Sequence, residues 1–199
     1  WCADPANTRW AKLFLLFRPS LIRVLEMARK IVLIGPNLLE HSPTLQPYKQ
    51  KCDVIPLAYS PVRKTEPVST VRKFNQGRAT ILFVGKLRKY KGVKFLIRAL
   101  QYLPDVRLRI VGSGEELSNL KRLTSKLGID SRVTFLGNIP NEHIPVEYKN
   151  ADIFVLPSID GSEAFGIVQA EAMSYGLPVI NTDLPSSVPF VSINEVTGI

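Results

Sequence analysis

The sequence predicts an α/β fold in which a mostly parallel sheet is covered by helices on both faces. Two observations predict it. Short, nearly continuous apolar runs recur through the second half of the chain, and stretches with apolar residues at helical spacing separate them. Buried parallel strands have this continuous apolar character because helices cover both of their faces. Such sheets bind ligands at the carboxyl ends of their strands, so functional residues are expected in the loops after the strands.

The composition is that of a globular chain with an excess of positive charge. Of 199 residues, 45% are hydrophobic, and 26 Lys and Arg against 17 Asp and Glu give a formal net charge of +9. This charge favours anionic partners. Nucleic acid is not expected, because no zinc-finger or helix-turn-helix signature occurs. The two cysteines suit a reduced cytoplasmic protein, and with two histidines they offer no metal-site spacing.

Residues 1–59 predict the end of one α/β domain. A helical pattern runs from about residue 8 to residue 30, followed by a strand over 30–34, a short helix after Asn37 and a strand over 52–56. The longest early apolar run is far short of the roughly 20 residues that cross a bilayer, so no transmembrane segment is predicted. The chain starts at Trp1 and stops without a closing helix, so we expect a fragment of a longer protein.

Residues 60–78 are polar and basic without an apolar period, which is typical of a linker, and residues 79–199 predict a second domain. Its predicted strands cover 81–84, 106–111, 133–136, 153–156 and 178–180. Apolar residues at helical spacing predict helices over 93–103 and 117–127, the second ended by Gly128. We expect the apolar stripes of both helices to face the core.

The loop after the first strand of this domain concentrates positive charge. It contains Lys86 and Lys91 with further basic residues between Gly85 and Gly92. Gly85 lets the backbone approach a ligand, the following helix start offers free N–H groups, and the lysines add full charges. These features suit a diphosphate. A solvated basic loop is the alternative, since charge runs usually lie in solvent.

The next two loops contain glycine turns. Gly112-Ser-Gly-Glu-Glu116 begins like a dinucleotide fingerprint, but Leu117 stands at the position of its third glycine, so a dinucleotide-dependent dehydrogenase is not predicted. Gly137-Asn-Ile-Pro140 predicts a turn whose backbone at Ile139 is a candidate for facing a nucleobase. An ordinary tight turn is the alternative in both places.

The loop after the fourth strand supplies two carboxylates, Glu163 and Glu171. If a helix begins near Phe165, the amides of residues 164–167 favour a phosphate. Eight residues of helix span about 12 Å, so one ligand with a sugar, a diphosphate and a ribose could reach both acids. A carboxylate accepts two hydrogen bonds from paired hydroxyls, which predicts Glu163 at the sugar and Glu171 at the ribose. In the alternative, Glu163 caps the helix and Glu171 faces solvent.

The chain resembles family 4 of the glycosyltransferases from about residue 30 onward. That family has the GT-B fold, two facing Rossmann-like domains, and transfers a sugar from a nucleotide sugar with retention of configuration. The resemblance rests on Cys52-Asp-Val-Ile-Pro56, Phe83-Val-Gly-Lys-Leu87, Lys91-Gly92, Ile110-Val-Gly-Ser-Gly114, Val133-Thr-Phe-Leu-Gly137, Ala151-Asp-Ile-Phe-Val-Leu-Pro-Ser158, Glu163-Ala-Phe-Gly166, Glu171-Ala-Met173 and Gly176-Leu-Pro-Val179. It implies the carboxy-terminal donor domain of a GT-B protein, incomplete at its end, with the tail of the amino-terminal, acceptor-side domain.

The resemblance implies a role for each candidate residue. The implied catalytic residues are Glu163, Lys86 and Lys91. The implied donor-binding residues are Phe165, Gly166, Ile167 and Glu171, and the loops described above add Gly85 and Ile139 as donor-binding candidates. Lys86 and Lys91 would neutralise the departing nucleoside diphosphate, which lowers the barrier without a metal ion or other cofactor. Lys86 stands where the family usually has Arg, so a point charge replaces a bidentate clamp.

The resemblance implies a hexosyltransferase, although the fragment alone is expected to bind donor without catalysing transfer. The sequence of residues 182–191 resembles that of polysaccharide-assembly mannosyltransferases. Those enzymes use GDP-mannose and act on glycan or lipid-linked acceptors at the cytoplasmic membrane face. The basic, apolar stretch over 10–30 suits peripheral membrane contact, with an ordinary packing helix as the alternative. A non-catalytic nucleotide-sugar-binding module and a non-hydrolysing sugar-nucleotide epimerase remain open as other functions.

Overall fold

A computed structural model describes residues 11–59, 78–196 and 198–199 of the chain. The amino-terminal segment contains helix α1 (Ala11–Met27), strand β1 (Ile31–Leu33), helix α2 (Asn37–Glu40) and strand β2 (Cys52–Val54). Strands β1 and β2 pair in parallel. These are the elements that the sequence predicts for this segment, in the predicted order. The predicted linker lies outside the described residues except for Arg78.

Local contacts explain where the first helix stops. Lys51 Nζ donates hydrogen bonds to the carbonyls of Leu25 and Glu26, at 3.3 and 2.7 Å. A cation at the carboxyl end of a helix satisfies carbonyls that have no intrahelical partner and interacts favourably with the helix dipole. Helix α1 therefore ends three residues before the predicted boundary, and the chain turns directly into β1.

From residue 80 onward, strands alternate with helices. The elements are β3 (Thr80–Val84), α3 (Val93–Ala99), β4 (Arg107–Val111), α4 (Leu117–Lys126), β5 (Val133–Gly137), α5 (Ile144–Asn150), β6 (Ile153–Leu156), α6 (Ile167–Ser174), β7 (Val179–Asn181) and α7 (Val188–Val191). The five predicted strands are all present, with ends within one residue of the predicted positions. Gly128 follows α4 with a φ of 65°, the left-handed conformation that ends a helix.

The predicted single helix over 93–103 is a regular helix followed by a short 3-10 turn, Leu100–Tyr102. Arg132 Nη1 donates to the carbonyls of Leu100 and Leu103, at 2.8 and 2.6 Å. These bonds satisfy the last carbonyls of the segment, so the helix narrows to a 3-10 turn and ends there.

The five strands form one parallel sheet in the order β5-β4-β3-β6-β7. Successive residues of β3 face opposite sides of it. Phe83 packs with Ile97 and Leu120 beneath α3 and α4, whereas Leu82 belongs to the cluster beneath α5 and α6. Both predicted apolar stripes face the core. The strand order changes direction between β3 and β6, and ligands bind at such a switch point in open α/β sheets.

Within residues 11–59, 78–196 and 198–199, no helix is both long enough and apolar enough to cross a membrane.

Candidate functional site

The loops after β3, β4 and β5 are joined by backbone hydrogen bonds at the carboxyl edge of the sheet. Gly85 N–H donates to the Val111 carbonyl at 3.0 Å, and Gly112 N–H donates to the Gly137 carbonyl at 2.7 Å. Gly112 has a φ of 122°, and a Cβ atom there would lie 2.0 Å from the Gly85 carbonyl oxygen. Only glycine permits this approach. The predicted glycine turns therefore build one continuous rim.

A second contact joins the basic loop after β3 to the acidic loop after β6. Ile159 N–H donates to the Tyr90 carbonyl at 2.8 Å. Gly92 has a φ of 67°, and a Cβ atom there would lie 1.9 Å from the carbonyl oxygen of Pro157. This glycine lets the two loops pack against each other and brings Lys91 to Glu163.

Lys91 and Glu163 form an ion pair at the switch point. Lys91 Nζ contacts Glu163 Oε2, and the two residues are 9% and 7% exposed. Ser158 Oγ, fully buried, donates to the same Oε2 at 2.9 Å. Thr182 Oγ1 donates to the Ser158 carbonyl and fixes this loop. The alternative in which Glu163 caps a helix is wrong, because its engaged oxygen binds Lys91 and Ser158.

Only one oxygen of the Glu163 carboxylate is engaged in this way. Within the part of the chain that the structure describes, its Oε1 has no hydrogen-bond partner. A buried ion pair is stable only when its geometry is good and its remaining polar atoms are bonded. The open oxygen thus leaves acceptor capacity for a ligand hydroxyl. The pair also influences the neighbouring Tyr90. Burial of the Tyr90 hydroxyl raises its pKa most, and the negative charge of Glu163 raises it further.

Lys86 stands apart from this pair. Its side chain is exposed, and within the described residues it forms no ion pair or side-chain hydrogen bond. The structure therefore brings together two of the three predicted catalytic residues, Lys91 and Glu163, and leaves the third cation on the rim.

The loop before α6 differs from the sequence prediction. Helix α6 begins at Ile167, not near Phe165, because Gly166 adopts a left-handed conformation with φ 69° and ψ 52°. A Cβ atom at Gly166 would lie 2.6 Å from Leu156 Cδ2 and 2.8 Å from Gln169 Nε2. A glycine is therefore required at this position both by conformation and by space.

Two partners turn the carbonyls of this loop toward the protein. Ser187 N–H donates to the Ala164 carbonyl at 2.9 Å, and Gln169 Nε2 donates to the Phe165 carbonyl at 3.4 Å. In a trans peptide the next N–H points the opposite way. Within the described residues, the amides of residues 164–168 donate to no protein acceptor. Such a run of free amides at a helix start binds anions.

Glu171 lies on α6 and is half-buried, so the alternative in which it is free in solvent is wrong. Tyr148 Oη donates to its Oε2 at 2.9 Å. Burial raises the pKa of the Glu171 carboxyl, and the hydrogen bond from Tyr148 lowers it in part. The sequence reasoning missed Tyr148 and Gln169, since both stand at positions that resemble ordinary core positions.

The turn after β5 lies farther along the rim. The side chain of Ile139 packs against the core beneath α5 and α6. Ser113 Oγ donates to Asn138 Oδ1 at 3.0 Å, which joins this turn to the loop after β4. Within the described residues, no hydrogen bond joins the turn to the acidic loop.

Residues 65–199 match the sequence profile of the family described as glycosyl transferases group 1. The chain belongs to this family. D-rhamnosyltransferase WbpZ of Pseudomonas aeruginosa is 32% identical over 189 residues, which cover 92% of this chain and 49% of that relative. O-antigen chain mannosyltransferase C of Escherichia coli is 30% identical over 191 residues, which cover 94% of this chain and 50% of the relative.

A solved structure, lipopolysaccharide outer core galactosyltransferase WaaB in its apo form, aligns with a TM-score of 0.67 at 27% identity. The alignment covers 84% of this chain and 46% of that one. The group 1 family membership confirms the resemblance, and the GT-B architecture predicted from it is confirmed as well. The chain spans about half the length of these two relatives and of this solved structure.

Proposed function

We propose that this chain forms the nucleotide-sugar-binding domain of a retaining hexosyltransferase, with residues 1–59 as the end of the acceptor-side domain and residues 79–199 as the donor domain. One observation carries the proposal. At the switch point of the sheet, the buried pair of Lys91 and Glu163 lies beside the free amides that begin the helix of Glu171. The three parts of a nucleotide sugar match these groups in order: the sugar matches the Glu163 carboxylate, the diphosphate matches the free amides, and the ribose matches the Glu171 carboxylate.

In the proposed complex the diphosphate lies on the amides of Phe165, Gly166 and Ile167. Lys86 reaches it from the rim, where its ammonium is exposed, and Gly85 allows the backbone to approach. The ribose hydroxyls are held by Glu171. In the described residues only Oε2 of that carboxylate is engaged by the protein, so acceptor capacity remains for a diol.

The transferred sugar lies at Glu163, whose Oε1 accepts a sugar hydroxyl, and the base lies against the backbone at Ile139. As the bond to the sugar breaks, negative charge grows on the leaving diphosphate. Lys91, Lys86 and the oriented amides stabilise that charge without reorganising. The acceptor hydroxyl attacks the sugar from the face that the nucleoside diphosphate leaves. The leaving phosphate assists removal of the proton from that hydroxyl. We assign no protein nucleophile and no metal ion.

We further propose a sugar of the manno configuration, with GDP-mannose as the donor. Two relatives that align with more than nine-tenths of the chain are named as a D-rhamnosyltransferase and a mannosyltransferase. D-Rhamnose is 6-deoxy-D-mannose, so both sugars present the same hydroxyls at C2, C3 and C4. The second name refers to O-antigen chains, which supports a glycan or lipid-linked acceptor.

We also propose a cytoplasmic location at the inner face of the membrane. Helix α1 exposes Leu16, Phe17, Val24 and Met27. Arg18 and Arg23 are exposed on the same helix. Apolar side chains beside cations suit the interface of an anionic bilayer. Co-sedimentation of the complete protein with anionic vesicles tests this, and equal recovery with neutral vesicles would contradict it.

The donor site is tested by melting the protein with GDP and with UDP, alongside a Glu171→Ala variant. A ligand that binds only the folded state at ~100 times its dissociation constant adds about 2.7 kcal/mol to the free energy of unfolding. We expect GDP to raise Tm and the variant to lose the shift. A shift with UDP alone would contradict the GDP assignment, and no shift with either would contradict the donor site.

The reaction is tested with the complete protein, GDP-mannose and a lipid-linked glycan acceptor. We expect a glycoside with the anomeric configuration of the donor, formed equally well in excess EDTA. Nucleotide release without an acceptor would support an epimerase instead, and donor binding without any turnover would support a non-catalytic module.

A further inference from the structure

Helix α5 places one tyrosine beneath α6, the helix that contains Glu171. Tyr148 is 1% exposed, and its ring stacks on Tyr175 with centroids 5.2 Å apart and planes inclined by 6°. Phe154 packs against it at 6.1 Å. These contacts fix the ring, so the position of its hydroxyl is set by the core and not by the ligand.

The hydroxyl of Tyr148 points at a carboxylate. Tyr148 Oη lies 2.9 Å from Glu171 Oε2. Burial, followed by the charge of Glu171, raises the pKa of the Tyr148 hydroxyl, so it keeps its proton and acts as a donor. One oxygen of Glu171 is therefore held by a rigid donor, which fixes the plane of the carboxylate before any ligand arrives.

A fixed carboxylate plane matters for recognising a diol. The two vicinal hydroxyls of a ribose donate to both oxygens of a carboxylate, and such charge-assisted paired bonds depend on geometry. A carboxylate that is already oriented loses little freedom on binding. The oriented carboxylate binds a 2′-deoxyribose more weakly, because that sugar lacks one of the two donor hydroxyls.

Among the described residues, no ion pair supports the charge of Glu171. Glu171 interacts electrostatically with Tyr148 from α5 and with Tyr59 from the segment after β2, and Tyr175, directly after α6, lies beside both of these tyrosines. None of these carries a positive charge. The hydrogen bond from Tyr148 opposes the effect of burial on the pKa of Glu171.

We propose that Tyr148 is a positioning residue that orients Glu171 for the ribose diol and thereby makes the donor site selective for ribonucleotides. The proposal rests on the proposed donor site. Tyr148 does not touch the donor in this account and acts only through Glu171.

The test uses the complete protein with a Tyr148→Phe substitution and measures Kd for GDP and 2′-deoxy-GDP, with UDP and 2′-deoxy-UDP in parallel. The wild-type protein is expected to prefer the ribonucleotide. In the variant we expect affinity for the ribonucleotide to fall roughly fivefold to tenfold, the effect of about one hydrogen bond. Affinity for the deoxynucleotide should change much less, so the preference shrinks.

A second readout is the pH dependence of ribonucleotide binding. Protonation of Glu171 removes binding as pH falls through its pKa. Without the Tyr148 hydroxyl that pKa rises further, because the charged form loses a hydrogen bond. In the Tyr148→Phe variant, binding should therefore be lost at a higher pH than in the wild-type protein.

The matched control is Tyr175→Phe, which keeps the ring that stacks on Tyr148 and removes a hydroxyl that hydrogen-bonds with Tyr59. Its ribonucleotide preference and pH profile should match those of the wild-type protein. Equal loss of both nucleotides in Tyr148→Phe with an unchanged pH profile would overturn the inference while leaving the donor site in place. A wild-type protein that binds no nucleoside diphosphate would overturn the proposed function itself.

Discussion

At the scale of single residues, Lys91 and Lys86 carry the same charge in opposite environments. Lys91 is almost buried against Glu163, whereas Lys86 is exposed and unpaired within the described residues. Removing one partner of a buried pair leaves an uncompensated charge, which costs about 3 kcal/mol or more. An exposed, unpaired lysine contributes little to stability.

This contrast gives a matched pair of variants. We expect Lys91→Met to lower the free energy of unfolding by about 3 kcal/mol and Lys86→Met to change it by less than about 0.5 kcal/mol. Denaturant unfolding of both variants measures the difference. Equal stability of the two variants would mean that the contact between Lys91 and Glu163 is not formed in solution.

Glu171 gives a pH-dependent prediction. Burial raises the pKa of its carboxyl in the folded state, so ionisation disfavours folding. The stability that this group contributes is fully present below its unfolded pKa and is lost as pH rises through the folded value. We therefore expect Glu171→Gln to be more stable than the wild-type protein at neutral pH.

The advantage of Glu171→Gln should disappear in acid, where the wild-type carboxyl is protonated. Glutamine keeps an oxygen that accepts from Tyr148, so that contact survives in the variant. Thermal unfolding across the pH range measures the difference, and binding of GDP should be lost in the same variant. A variant that is less stable than the wild-type protein at neutral pH would contradict this account of the carboxylate.

At the scale of elements, the loop before α6 depends on Gln169. This side chain is fully buried, donates to the carbonyls of Phe165 and Val188, and accepts from Asn181 Nδ2 at 2.6 Å. It thus ties the loop to α7 and β7. Because the Phe165 carbonyl points inward, the next amide points toward the proposed diphosphate.

We expect Gln169→Leu to weaken GDP binding much more than guanosine binding, since guanosine lacks the phosphates that the loop amides contact. The substitution also removes the Gln169 donor to the Phe165 carbonyl, and an unpaired buried group costs about 1–3 kcal/mol, whereas the Val188 carbonyl and Asn181 Nδ2 keep their bond to each other at 3.5 Å. The control is Thr124→Val, which removes a buried hydrogen bond to the Leu120 carbonyl in α4. Calorimetric titration should show unchanged affinities in that control, and equal losses for GDP and guanosine in Gln169→Leu would contradict the role of the loop.

Elements were easier to predict than their junctions. Strands such as Ile153–Leu156 are visible because a parallel strand between helix layers is apolar throughout. The start of α6 was placed too early, because Phe165 fits a helical pattern and only the left-handed Gly166 shows that the helix has not begun. Sequence spacing carries no information about backbone conformation at a single glycine.

The polar residues of the core were the other part that sequence could not supply. Tyr148 and Gln169 occupy inward positions, and a buried polar side chain has meaning only through its partner. Those partners lie 23 residues away along the chain for Tyr148, and 4, 12 and 19 residues away for Gln169. The contact of Lys91 with Glu163 joins residues 72 apart and likewise depends on the folded sheet.

At the scale of the whole molecule, the sheet order accounts for the position of the site. Strands β3 and β6 are distant in sequence but adjacent in the sheet, and their loops leave from the same edge. The basic loop and the acidic loop therefore meet although the elements from α3 to β6 separate them along the chain. Glycines at 92, 112 and 166 let these loops approach closely enough to form one surface.

The central claim is that Glu163 holds the sugar and Glu171 holds the ribose of one donor. The most direct test is calorimetric titration of the wild-type protein, Glu163→Gln and Glu171→Gln with GDP and with GDP-mannose. We predict that Glu163→Gln loses the preference for GDP-mannose over GDP but still binds GDP, whereas Glu171→Gln binds neither well. Equal effects of the two substitutions on both ligands, or unchanged binding in both variants, would contradict the account.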